Sequence, residues 1–217
     1  MALFSRKMAS DRMLELDVPQ KSDEWFAARL GIPTASQFKR IVTPGGKLVA
    51  DSVRQRYIDD LAAEAISGIP TPHYVSWDMK QAAETEADSR LIYAMNHEVE
   101  VREVGLCYKD ERKLFSCSPD GLVDPNGGFE TKGTIYGGLQ LARLREKRMM
   151  PEHIPQCQGF LYVCEREWID FQSYCPGLQV LCIRNYRDEK WIKVLAEELE
   201  RFCYDLACEI RKDREGK

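Results

Sequence analysis

Apolar residues recur at helical spacing over 23–30 (DEWFAARL) and 51–66 (DSVRQRYIDDLAAEAI), so both stretches read as helices. Asp51 stands where an N-cap is expected. Thr43-Pro-Gly-Gly-Lys47 predicts a loop between them, and Gly68-Ile-Pro-Thr-Pro72 closes the second helix. A third helix is predicted over about 78–96, rich in Ala, Glu and Gln. The character changes after Glu98. Residues 99–108 and 113–118 are β-prone, and Asp124-Pro-Asn-Gly-Gly128 is a turn signal ahead of Phe129-Glu-Thr-Lys132. Helical pattern returns at 138–148 and 153–165, and strands are predicted at 168–174 and 179–186. A closing helix from Asp188 to Arg214 carries Trp191, Val194, Leu195, Leu199, Phe202 and Leu206 at helical intervals. This order predicts an α/β fold with a central mixed β-sheet flanked by helices. We expect one domain over 1–217, with an N-terminal helical portion at about 1–97 and a sheet-containing core at about 98–217.

A chain of 217 residues can bury its core without metal or disulfides. With 44% hydrophobic and 30% charged residues and no apolar stretch near the roughly 20 needed to cross a bilayer, a soluble protein is expected. Met1 to Ser10 lacks the apolar run of a secretory signal, so export is not expected. The 8 cysteines show no CxxC and no zinc-ligand spacing, and Cys107, Cys164, Cys182 and Cys203 fall among apolar neighbours. They read as reduced thiols of a cytosolic protein. The net charge of −4 argues against a surface that coats nucleic acid everywhere, so any DNA contact is local. The best local candidate is Leu141-Ala-Arg-Leu-Arg-Glu-Lys-Arg148.

The informative chemistry lies in Ser118-Pro-Asp-Gly-Leu-Val-Asp-Pro-Asn-Gly-Gly-Phe-Glu-Thr-Lys132. Side chains alternate along a strand, so Glu130 and Lys132 share one face and Thr131 takes the other. A turn between Val123 and Gly128 folds the preceding strand back and brings Asp120 beside them. Pro-Asp-Gly alone is a common turn and Glu-x-Lys alone an ordinary surface pair, but together they converge two carboxylates and an ammonium. Such a group suits phosphodiester hydrolysis assisted by Mg²⁺, which takes carboxylate oxygens and keeps waters. Lys132 would act as a cation stabilising the transition state or, with a depressed pKa, as a proton acceptor; adjacent carboxylates favour the charged role.

The segment resembles the phage lambda exonuclease family, the YqaJ-type viral recombinases within the PD-(D/E)XK nucleases, whose hallmark is Ser-Pro-Asp-Gly-Leu followed by Glu-x-Lys. Trp25-Phe-Ala-Ala-Arg-Leu-Gly-Ile-Pro-Thr-Ala-Ser36 is similar to that family's N-terminal motif, Gln156-Cys-Gln158 to its Gln-x-Gln helix, and Phe171-Gln-Ser-Tyr-Cys-Pro176 to the strand that follows. The resemblance implies a restriction-endonuclease-like core. It assigns Asp120, Glu130 and the Thr131 carbonyl to metal, Lys132 and Gln156 to catalysis, and Arg29 and Ser36 to a 5′-terminal phosphate. Glu84 matches the acidic residue on the preceding helix, with Glu86 and Asp88 as alternatives. His153 stands where relatives often carry Tyr.

By the same resemblance the chain is expected to use two Mg²⁺ ions, with Mn²⁺ as a substitute. It would degrade linear double-stranded DNA from 5′ to 3′ into 5′-mononucleotides, leaving a 3′ single-stranded overhang for phage-type recombination in the cytoplasm. A homotrimeric ring around the duplex is expected, lined by Arg143, Arg145, Lys147 and Arg148 or by Lys39, Arg40 and Lys47, with a single-strand annealing recombinase as partner. The competing readings are a structure-specific endonuclease on the same core and a catalytically silent DNA-binding or assembly subunit.

Overall fold

The computed structural model describes residues 13–72 and 77–215; the N-terminal decapeptide read for an export signal lies outside them. In chain order the elements are β1 (Leu14–Leu16), α1 (Asp23–Arg29), a 3-10 turn (Ala35–Arg40), α2 (Asp51–Ser67), α3 (Trp77–Glu84), α4 (Glu86–His97), β2 (Leu106–Tyr108), β3 (Ser116–Cys117), β4 (Gly121–Val123), β5 (Gly127–Gly133), α5 (Gly137–Glu146), a 3-10 turn (Pro151–His153), α6 (Ile154–Cys164), β6 (Trp168–Tyr174), β7 (Leu181–Tyr186) and α7 (Glu189–Glu215). The expected mixed sheet is β4-β5-β6-β7, in which β5 and β6 run parallel and the outer pairs antiparallel. A second, antiparallel sheet, β1-β2-β3, was not expected.

Of the β-prone stretch 99–108, only Leu106–Tyr108 forms a strand. Upstream of it the chain makes an isolated bridge, Arg102 to Leu122, and then passes so close under Val18 that a Cβ at Gly105 would lie 2.0 Å from the Val18 carbonyl oxygen. The helix anticipated at 78–96 breaks at Thr85, whose hydroxyl donates to the Ala82 carbonyl at 2.7 Å and competes with the helical ladder. Asp51 is the first residue of α2 rather than its cap, which is Ala50. There its carboxylate complements the helix N-terminus. Gly68 ends α2 with φ +71, a conformation that only glycine takes at little cost.

α6 runs through the core, with Cys157, Phe160, Leu161, Val163 and Cys164 all buried. Gly159 lets the Ala35–Arg40 turn press onto it, since a Cβ there would meet Phe38 at 2.5 Å. α7 lays Trp191, Leu195, Leu199, Phe202 and Leu206 on the core, and Tyr57 of α2 packs against Phe202. Burial of each large side chain contributes roughly 1.5–3 kcal/mol. Cys107, Cys117 and Cys164, distant in sequence, gather in the core as free thiols, with Cys117 Sγ 3.3 Å from Cys164 Sγ. Among the described residues no helix is long and apolar enough to cross a membrane.

Candidate active site

Antiparallel pairing sets Gly121 opposite Phe129 and Val123 opposite Gly127, so Asp120, just before β4, arrives beside Glu130. The Thr131 backbone N–H donates to Asp120 Oδ2 at 2.7 Å. Glu130 is 2% exposed, and its Oε1 accepts from Lys132 Nζ at 2.5 Å and from Gln156 Nε2 at 2.6 Å. The structure thus brings together Asp120, Glu130, Lys132 and Gln156, as the sequence predicted. Thr131 points its side chain to the opposite face, where it meets Ser89 Oγ at 2.6 Å and donates to the Gln172 carbonyl at 3.3 Å.

Burial and mutual repulsion push the Asp120 carboxyl well above its usual range, and burial raises Glu130 despite the neighbouring ammonium. For Lys132, burial works against the charge, but Glu130 and Asp120 outweigh it and hold the ammonium above its ordinary pKa. Lys132 is therefore a cation and not a proton acceptor. A buried and a half-buried carboxylate with a single ammonium beside them form an anionic oxygen donor set, and the site fits a hard divalent cation. Asp120 and Glu130 supply the carboxylate oxygens that could hold one.

Glu84, matched in sequence to the helix ligand, is exposed at the end of α3 and accepts from Gln81 at 3.1 Å. The break at Thr85 turns it away and starts α4 with Glu86, whose charge bears on both Asp120 and Glu130. Glu86 is thus the carboxylate of this segment whose charge reaches the site, while Glu84 lies exposed at the end of α3. Asp88 is also exposed. α4 is fixed in place from two sides. Gln172 Nε2 donates to Ser89 O and Oγ at 2.8 Å each, and Arg90 donates to the Asp120 carbonyl at 3.0 Å while pairing with Glu86 at 3.8 Å. Neither Ser89 nor Arg90 has a sequence signal apart from its spacing of three and four residues from Glu86.

A second polar group forms where α1 meets the Ala35–Arg40 turn. Arg29 stacks over Trp25 at 3.9 Å and donates to Thr34 Oγ1 at 3.2 Å, and Thr34 Oγ1 lies 3.2 Å from Ser36 Oγ. Arg29 and Ser36 are thus joined through Thr34, which the sequence reading missed although it lies inside the quoted motif. Trp25 Nε1 donates to Ser118 Oγ at 3.0 Å, linking this group to the segment that delivers Asp120. Arg29, Thr34, Gln37, Arg40 and Glu64 also line a cavity of about 560 Å³ beside α2, which none of the catalytic carboxylates enters.

The two glutamines of Gln156-Cys-Gln158 separate. Gln158 faces away, donating to the Tyr186 carbonyl and accepting from the Asp188 N–H, both at 2.9 Å, and so fixes the start of α7. His153 stacks on Phe171 with ring centroids 5.1 Å apart, and burial, reinforced by Lys132, lowers its pKa to about 4. Of the anticipated DNA-facing cations, Arg40 is not available, since it pairs with Asp60 at 2.7 Å and stacks over Tyr57.

A model of the YqaJ-like viral recombinase domain matches residues 24–167. An alkaline exonuclease from Laribacter hongkongensis, LHK-Exo, has a similar structure, with 30% sequence identity, 90% of this chain and 97% of that chain covered, and a TM-score of 0.79. Its complex with dAMP matches equally, at 30% identity, 90% and 97% coverage and a TM-score of 0.79. A phage-related exonuclease from Haemophilus somnus 129PT shares the fold, with a TM-score of 0.64 over 86% of this chain and 96% of that chain, at 13% identity. No curated protein matches.

Proposed function

This chain belongs to the YqaJ-like viral recombinase domain family, and from that premise we propose that it is a Mg²⁺-dependent exonuclease that degrades linear double-stranded DNA from 5′ to 3′. The products are 5′-mononucleotides and a 3′ single-stranded overhang for recombination. The observation that carries the reading is the convergence of Asp120, Glu130 and a charged Lys132 on one end of β5, with Glu86 delivered from α4.

When bound, the divalent cation would lower the pKa of a water and offset charge on the attacked phosphate. Asp120, Glu130 and Glu86 would hold it through carboxylate oxygens. Lys132 stabilises negative charge growing on the phosphoryl oxygens, because it is an ammonium fixed in place by Glu130. Gln156 and Lys132 both grip one oxygen of Glu130 and so hold its carboxylate plane still. Arg29, with Thr34 and Ser36, supplies a guanidinium and two hydroxyls for a 5′-terminal phosphate, which positions the strand end.

The ring and the annealing partner are carried by the family resemblance, and the charge balance is in keeping with a ring. A monomer of net charge −4 tracks along DNA only if its few free cations surround the substrate. A homotrimer with Arg145 and Lys147 facing an axis achieves this; both are exposed at the end of α5, where Arg148 pairs with Glu146 at 3.1 Å. The protein would act in the cytoplasm of an infected cell beside a single-strand annealing recombinase. Release of acid-soluble nucleotide from linear duplex on adding Mg²⁺, absent in Lys132→Ala, tests the activity.

A further inference from the structure

One face of β5 and β6 carries two rows of side chains. Parallel register sets Glu130 beside Phe171 and Lys132 beside Ser173, and residues paired in register project from the same face. His153 stacks on Phe171. Arg143 reaches down from α5, and its Nη1 donates to Ser173 Oγ at 2.9 Å. His153 and Arg143 therefore cover the strand next to the catalytic one, about 5 Å across the sheet.

Arg143 is placed unlike a structural arginine. Its guanidinium is half-buried, but among the described residues no carboxylate lies within ion-pair distance of it, and its Nε is buried without an acceptor. Ser173 Oγ gives its own proton to Gln140 Oε1 at 2.7 Å, so it accepts from Arg143 and contributes no charge. Arg40, Arg54, Arg166 and Arg187, comparably covered, each close on an Asp or Glu. A partly dehydrated guanidinium with unused donors is costly until an anion meets it. Arg29, the residue matched to the 5′-terminal phosphate, shares both features: no ion-pair partner and an orphan Nε. The charges of Lys132 and Arg143 both bear on the His153 ring, and the acid Glu152 bears on His153 and on Arg143 alike.

The geometry points to a second anion site, formed by Arg143 beside His153, that holds a backbone phosphate neighbouring the one attacked at Asp120, Glu130 and Lys132. This rests on the nuclease reading. With a 5′-terminal phosphate assigned to Arg29, Thr34 and Ser36, the proposal gives Arg143 the linkage immediately 3′ of the scissile one. A strand held only at the reacting phosphate can pivot, and a guanidinium fork on the next phosphate fixes the line of attack.

A methylphosphonate scan tests the site. Duplexes with a 5′-phosphate carry one uncharged linkage at successive positions, and cleavage is followed in single turnover. Binding to the same duplexes is read in parallel by fluorescence anisotropy in Ca²⁺. Arg143→Gln is expected to slow cleavage of the unmodified duplex about ten- to hundredfold, the effect of one charge-assisted contact. Neutralising the linkage just 3′ of the scissile phosphate should slow the wild type by a similar factor and leave Arg143→Gln no slower, while Arg143→Lys keeps the sensitivity. Losses that multiply at every linkage, or a wild type indifferent to that linkage, overturn the site. Linkage-dependent binding without cleavage keeps the site and overturns the nuclease reading; cleavage without linkage dependence does the reverse.

Discussion

Gln156 donates to the same Glu130 oxygen that the Lys132 ammonium holds, at 2.6 Å and 2.5 Å respectively. Two donors on one oxygen leave the other carboxylate oxygen without a protein hydrogen bond among the described residues. Lys132, Gln156 and the Glu130 carboxylate are therefore tied together as one hydrogen-bonded unit. Glu130→Gln and Lys132→Ala should each lower kcat by at least about 10²–10³-fold. Gln156→Ala, which removes orientation but no charge, should cost less. DNA affinity measured in Ca²⁺ should stay within a few-fold for all three, because the phosphate-gripping groups lie elsewhere.

Metal addition should stabilise the protein, because the proposed cation site is a carboxylate cluster that exists only in the folded chain. At a hundredfold excess over Kd the gain is about 2.7 kcal/mol, a rise of several degrees in Tm. Asp120→Asn and Glu130→Gln should abolish that rise, and Glu86→Gln should reduce it. Glu84→Gln should leave it intact. A rise lost in Glu84→Gln and kept in Glu86→Gln would restore the sequence assignment.

That assignment shows where the sequence stopped being legible. The strand pair was readable because two-residue periodicity and a Gly-rich turn place Asp120, Glu130 and Lys132 without any tertiary information. The helix ligand was not, because its identity depends on Thr85 breaking 78–96 in two, a local competition between a hydroxyl and the backbone that periodicity does not register. The closing helix was legible down to Trp191, Leu195, Leu199, Phe202 and Leu206. The small sheet was not, since its strands are two or three residues long and owe their existence to pairing between residues far apart in the chain. Nor does spacing reveal that Cys107, Cys117 and Cys164 meet.

Arg29→Ala should slow degradation of 5′-phosphorylated ends by about ten- to hundredfold, the worth of one charge-assisted contact, and 5′-hydroxyl ends much less. Equal losses on both substrates would make Arg29 a structural residue packed on Trp25.

Gly133→Ala should impair the site from behind. A Cβ there would lie 2.6 Å from the Ala82 carbonyl oxygen and 2.5 Å from Thr85 Oγ1, at the junction that aims Glu86. Displacing that junction should weaken Mg²⁺ binding, read as a higher Mg²⁺ concentration for half-maximal activity. Unchanged Mg²⁺ dependence would separate Glu86 from the site.

The most direct test of the exonuclease account compares linear and covalently closed circular duplex of one sequence, with and without Mg²⁺, on a gel. The account predicts that Mg²⁺ causes loss of the linear duplex from its 5′ ends, leaving 3′ single strands, while the circle stays intact. Circular DNA cut as readily as linear would contradict it.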